Sequence, residues 1–193
     1  MKTNRAALGF RVKSGWAVSI LVGGSIQSPH LCNSGAINLS DPREPETRQP
    51  YHAAMGKLET NAIKLKRRTQ RVERTIERSI EGLLKSCSDN GYAIHRAALV
   101  VGSVIDPNSI ANPHIRAHAF EGQLFRTRLK AALEARGIDC SICRERDIYT
   151  TASKLLRRSP GEIKRALADL GLSTIGPWRA DQKLAALSAW TSL

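Results

Sequence analysis

Leu8-Gly9-Phe10-Arg11-Val12-Lys13-Ser14-Gly15-Trp16-Ala17-Val18-Ser19-Ile20-Leu21-Val22 decides the architecture. Leu8, Phe10 and Val12 alternate with Gly9, Arg11 and Lys13, the two-residue period of a half-buried strand. Ser14-Gly15 is a turn pair, and Trp16, Val18, Ile20 and Val22 resume the alternation beyond it. Gly23-Gly24 then breaks the chain, and a third strand is expected over 31–39. Three consecutive short strands predict an antiparallel meander within residues 1–40. Lys2, Arg5, Arg11 and Lys13 ahead of 16–22 loosely imitate a signal peptide, but Ser19 interrupts a short apolar run and no cleavage site follows. A hairpin explains the stretch better.

Downstream, helices and strands alternate. A proline-rich charged loop ends in Gln49-Pro50-Tyr51-His52, and a long helix is expected from about Met55 to 85. Leu58, Ala62, Leu65, Val72, Ile76 and Leu83 recur on it at helical spacing. Glu59, Glu73, Glu77 and Glu81 take one flank, and Lys64, Arg67, Arg71, Arg74 and Arg78 form a basic stripe opposite the apolar face. The continuous apolar run 97–101 suits a strand covered on both sides. Asn112-Pro113 opens a second helix with an N-cap and a first-turn proline, and Gly137 stops it. A short strand around 139–143 follows. Cys140 and Cys143, placed on it, point to opposite faces, which argues against a shared metal or redox role. Ser159-Pro160-Gly161-Glu162 is a capping box for a third helix. A last helix starts near Pro177 with Leu184, Leu187 and Trp190 on its apolar side.

The resulting order, β-β-β-α-β-α-β-α with a small helical insertion before the last helix, is the layout of the ribonuclease H-like fold. That α/β fold, a mixed sheet, is shared by Holliday-junction resolvases and actin-like ATPases. A single domain over 1–193 is expected, with the long basic helix at 55–85, a strand-helix-strand unit at 97–147, the insertion at 148–172 and the C-terminal helix at 177–193. Residues 151–170 also resemble a DNA-binding helix-turn-helix, with Arg157 where a glycine is usual; a plain helical hairpin is the alternative.

With 193 residues, 41% of them hydrophobic, the chain can bury a sizeable core, and its net charge of +13 points to a polyanionic partner. No apolar run approaches the ~20 residues of a membrane span. Four dispersed cysteines suit a reducing cytosol. The P-loop pattern is absent. Lys13-Ser14-Gly15 lies where actin-like ATPases bind phosphate, without the acid those enzymes use.

His114, His118 and Glu121 lie on one helical face, just after the buried strand, where α/β sheets place ligands. Imidazole and carboxylate together suit zinc, manganese or iron. The plainer readings are a capping histidine, a satisfied core histidine, or Glu121 paired with Arg116 or Arg126. Asp181 either joins this site or serves as a helix-start acid. His52 can join only if its loop folds back across the sheet. Trp178 either anchors the last helix or stacks on a base.

Gly9-to-Ala17, Gln49-to-His52, His118-x-x-Glu121-Gly122-x-x-Phe125-Arg126 and Gly176-Pro177-Trp178-Arg179-x-Asp181-x-Lys183 together resemble a family of uncharacterised bacterial proteins of about this length. At the level of fold the chain is similar to resolvase-type nucleases. These place acids on the first strand, after the fourth strand and on the last helix to hold two metal ions against a phosphate. The resemblance implies a divalent metal, magnesium or manganese, and puts Glu121 and Asp181 at the second and third acid positions. The first strand carries Gly9, Arg11 and Lys13 instead of an acid. Either the histidines make a different metal site, or the fold binds without cutting.

The expectation is a cytoplasmic protein that binds nucleic acid, DNA or RNA, through Lys64, Arg67, Arg71, Arg74 and Arg78. Glu121, Asp181 and His118 are its catalytic candidates, and His114, His118 and Glu121 its metal candidates. A degenerate or unconventional metal-dependent nuclease is one form of this reading. The alternatives are a small-molecule hydrolase or phosphotransfer enzyme using the same cluster, and a module whose long helix docks an acidic protein.

Overall fold

The computed structural model describes residues 4–53 and 56–193. Positions 1–3 of the expected meander and Met55, the expected start of the long helix, lie outside them. Strands β1 (Asn4–Lys13), β2 (Trp16–Gly24) and β3 (Pro29–Asn38) form the meander. Gly15, at φ +83°, makes the first turn where a side chain would strain the backbone. Then come α1 (Ala62–Asp89), β4 (Tyr92–Val101), α2 (Pro113–Glu134), β5 (Asp139–Arg144), α3 (Ile148–Leu156), α4 (Pro160–Gly171) and α5 (Ala180–Trp190). The sheet order is β3-β2-β1-β4-β5. The meander pairs are antiparallel, while β1–β4 and β4–β5 are parallel.

Side chains alternate across this sheet, so its two faces build two cores. Ala6, Leu8, Phe10 and Val12 of β1 pack with Ala97, Leu99 and Val101 of β4 against α1 and α2. Val18, Ile20 and Val22 of β2 and Val100 of β4 pack against α3, α4 and α5. Cys140 belongs to the first core and Cys143 borders the second, as a strand requires, and both are free thiols. The apolar run 97–101 is the buried half of a longer strand, whose first half pairs with the start of β1.

The long helix begins later than the sequence pattern suggests. Asn61 caps it by accepting from the Lys64 N–H, and Ala62 is exposed. Leu58 and Glu59, expected on the helix, precede it. Leu58 bridges to His52, and Glu59 is buried, accepting from the N–H groups of Thr60 and Asn61 beside Arg68. A carboxylate that can satisfy the backbone just ahead of a helix holds the chain out of helical conformation there.

The helical insertion is a load-sharing part of the second core. Ile148, Ala152 and Leu156 of α3 and Ile163, Leu167 and Leu170 of α4 are all buried. Arg157, at φ 52°, takes the left-handed conformation between them where glycine is usual, and Ser159 and Glu162 form the capping box. Trp178 anchors the run into α5: its indole N–H donates to the Leu167 carbonyl at 2.7 Å and its ring lies on Gly171. Among the described residues no helix is long and apolar enough to cross a membrane.

Candidate functional site

The odd-numbered residues of β1 face α5, and Gly9 sets the distance between them. A Cβ at Gly9 would lie 1.9 Å from the Ala185 carbonyl oxygen and 2.6 Å from the Ala189 nitrogen. One turn earlier on α5 stands Asp181, and two residues later on β1 stands Arg11. Arg11 is buried, its side chain only 7% exposed. Its guanidinium pairs with Glu145, lies 3.6 Å from Asp181, and donates to the carbonyls of Val12 and Val100 at 3.0 and 3.4 Å. Lys13 binds the same Asp181 oxygen at 2.9 Å. The C-terminal ends of β1 and β4, the ligand edge of an α/β sheet, are thus held by a cation flanked by two acids.

A cleft of about 450 Å³ opens at this edge, lined by Arg11, Lys13, His118 and Arg126 and walled by apolar residues such as Ile115 and Phe125. Among the described residues, no aspartate or glutamate lines it. Burial lowers the pKa of the Arg126 guanidinium, whose polar contact is the Ser103 carbonyl at 3.5 Å. Cations set among apolar walls suit an anion that carries a planar or aliphatic group.

The histidine cluster forms where α2 starts. Asn112 accepts from the N–H groups of His114 and Ile115, fixing the first turn, and the four-residue spacing brings His118 over His114. The loop ending in His52 does fold back. Tyr51 stacks on Phe120 with ring centres 5.0 Å apart, and Arg68 donates to the carbonyls of Pro50 and His52. His52 then stands with its ring centre 5.1 Å from that of His114 and 4.4 Å from that of His118.

Glu121, fully buried, lies behind these rings. Its Oε1 accepts from the Tyr51 N–H at 3.3 Å and lies 2.7 Å from His52 Nδ1. Its Oε2 is 3.4 Å from His118 Nδ1, a charge contact too poorly aligned to be a hydrogen bond. Burial pushes the Glu121 carboxyl up to about 7, against the opposing pull of His118 and the Tyr51 N–H. Burial, reinforced by His114, pushes the His52 imidazole down.

The structure brings His114, His118 and Glu121 together and adds His52. It does not bring Asp181 to Glu121: the partners of Asp181 are Lys13 and Arg11, those of Glu121 are Tyr51, His52 and His118. Nor does Glu121 pair with Arg116 or Arg126, which reach the backbone carbonyls of Ile110 and Ser103. Sequence reading missed the central position of Arg11 and its partner Glu145. The one signal available was that Arg11 and Lys13 follow Gly9 at two-residue steps, on the same face of the strand. On α1, Arg67 pairs with Glu46 at 2.8 Å and Arg71 pairs with Glu44, whereas Lys64, Arg74 and Arg78 make no ion pair among the described residues.

No protein-family model matches this chain, and no curated protein does either. Among solved structures it is similar to Thermus thermophilus RuvC, with a TM-score of 0.53 and 10% identity over 96% of this chain and 92% of that one. T. thermophilus RuvC in complex with Holliday junction substrate is similar at a TM-score of 0.54 and 12% identity, covering 97% of this chain and 91% of that one. The chain therefore has the RuvC-type, ribonuclease H-like fold. The metal pair implied by the likeness to resolvase-type nucleases does not fit the residues present. Arg11 and Lys13 stand at the strand end where acids would be required, and Asp181 is already their counterion. A divalent ion placed there would meet two fixed positive charges.

Proposed function

We propose that this protein binds nucleic acid at the cleft above β1 and β4 and along α1, and does not cut it by the two-metal route. One observation carries the reading: a buried arginine, flanked by Asp181 and Glu145, takes the sheet edge of a ribonuclease H-like fold. Arg126 in the cleft and Lys64, Arg74 and Arg78 on α1 supply the phosphate contacts. Lys13, Arg67 and Arg71 contribute less, because each already holds a carboxylate. The net charge of +13 supports a polyanionic partner. One of the similar structures holds a Holliday junction, so branched DNA is the first ligand to test.

Fluorescence anisotropy with labelled duplex, single-stranded and four-way-junction DNA and matching RNA tests this. With about four phosphate contacts, affinity should fall roughly 150-fold between 50 and 200 mM salt. Replacing Lys64, Arg74 and Arg78 by alanine should flatten that slope by about three contacts, and replacing Arg67 and Arg71 should change it less. A salt-independent affinity removes the phosphate-contact reading. It would favour the second one, a small anionic substrate in the cleft, for which the apolar walls beside Arg126 and Lys13 are the supporting observation.

A further inference from the structure

We propose that His52, His114 and His118 form a site for a single transition-metal ion of the zinc class, held by three imidazole nitrogens and oriented by Glu121. His-x3-His on one helix face is a recurrent metal-binding spacing, and here a third histidine reaches it from a loop 62 positions before His114. One ligand nitrogen from each ring lies within 4.8 Å of the others. A tetrahedral ion with bonds of about 2.1 Å needs its ligand nitrogens about 3.4 Å apart. His114 and His118 are exposed, so rotation of their side chains can close the remaining gap.

The hydrogen-bonding pattern selects the ligand atoms. His52 Nδ1 faces Glu121 Oε1 at 2.7 Å, His114 Nδ1 faces the Gly56 carbonyl at 2.9 Å, and His118 Nδ1 faces Glu121 Oε2 at 3.4 Å. The Gly56 carbonyl can only accept, which places the His114 proton on Nδ1 and leaves its Nε2 with a free lone pair, while Glu121 Oε1 engages His52 at Nδ1 and leaves Nε2 as the nitrogen open to a metal. A carboxylate or carbonyl on the far nitrogen is the usual support of a metal-bound histidine, because it fixes the tautomer and the ring plane. The His52 side chain is only 9% exposed, and its Nε2 is buried without a hydrogen-bond partner among the described residues. A buried ring nitrogen left unpaired is costly, and a metal ion would satisfy it.

Three protein ligands leave a fourth position for water or an anion, the open arrangement that distinguishes reactive sites from closed structural ones. His118 also lines the basic cleft, so this position would adjoin the place where an anion is held. The site is independent of the nucleic-acid reading, since none of its ligands is a proposed phosphate contact.

Titration of the purified protein with Co²⁺ as a visible-absorbing probe, and with Zn²⁺ by calorimetry, tests the site. The expected result is one ion per chain, the visible bands of tetrahedral cobalt without thiolate charge-transfer bands, and a raised melting temperature. His114→Ala and His118→Ala should each abolish saturable uptake while lowering the metal-free melting temperature far less than a core substitution would, because both residues are exposed. Glu121→Gln should weaken the ion roughly 10- to 100-fold. Changing His30 or His95, outside the cluster, should have no effect. Absence of 1:1 uptake by the wild-type protein overturns the proposal. So does uptake that survives the His114→Ala/His118→Ala double change, which would place the ion on the cysteines or the other histidines.

Discussion

Gly9→Ala should cost about 3 kcal/mol of folding stability and lower the melting temperature by roughly 10 °C. The new methyl would stand 1.9 Å from a backbone oxygen of α5 and 2.6 Å from a backbone nitrogen, so no rotamer change relieves it. The only relief is separation of α5 from β1. That separation would open the second core around Ala185, Ala189 and Trp190, all fully buried, and draw Asp181 away from Arg11. Gly82→Ala on α1 is the control. Nothing lies within 4 Å of a Cβ there, and replacing a helix-interior glycine should add about 1 kcal/mol of stability. Thermal melts of the two variants decide it. Equal, small changes of one sign would mean that α5 does not sit on β1 as described.

Arg11→Met should also lower stability, by about 2 kcal/mol. Removing one partner of a fully buried ion pair costs about 3–5 kcal/mol. Here Asp181 and Glu145 are 31% and 47% exposed, so water recovers part of that loss. The loss should be strongly non-additive. Adding Asp181→Asn and Glu145→Gln to Arg11→Met removes the orphaned charges, so the triple variant should melt above Arg11→Met alone. A triple variant that simply sums the single losses would show that the guanidinium does not clamp these two acids.

How legible the molecule was in its sequence follows from which interactions are local. The meander was readable because alternation in β1 and β2 is a property of adjacent residues, and Ser14-Gly15 makes the turn between them. The caps at Asn112 and Ser159 were readable for the same reason. His114, His118 and Glu121 were readable as a group because helical spacing alone puts them on one face. The start of α1 was not, since apolar periodicity continues through Leu58 while Glu59 satisfies the backbone outside the helix. The partners of the site were harder still. His52 reaches the cluster only through a loop fixed by Tyr51–Phe120 stacking and by Arg68, contacts between distant residues. Arg11 is separated from Glu145 and Asp181 by more than a hundred positions, and nothing in its neighbourhood announces a counterion. Local sequence located the sheet edge and the cations on it, and only the folded chain shows which acids those cations hold.

The most direct test of the central claim is a denaturing gel of labelled four-way-junction and duplex DNA, incubated with saturating protein in Mg²⁺ or Mn²⁺, beside Asp181→Asn. A fold whose sheet edge is held by Arg11 should retain the DNA in a parallel native gel and leave every strand intact. Strands cut by the wild-type protein only when Mg²⁺ or Mn²⁺ is present, and left whole by Asp181→Asn, would contradict the account: Asp181 would then be a metal ligand and not the counterion of Arg11 and Lys13.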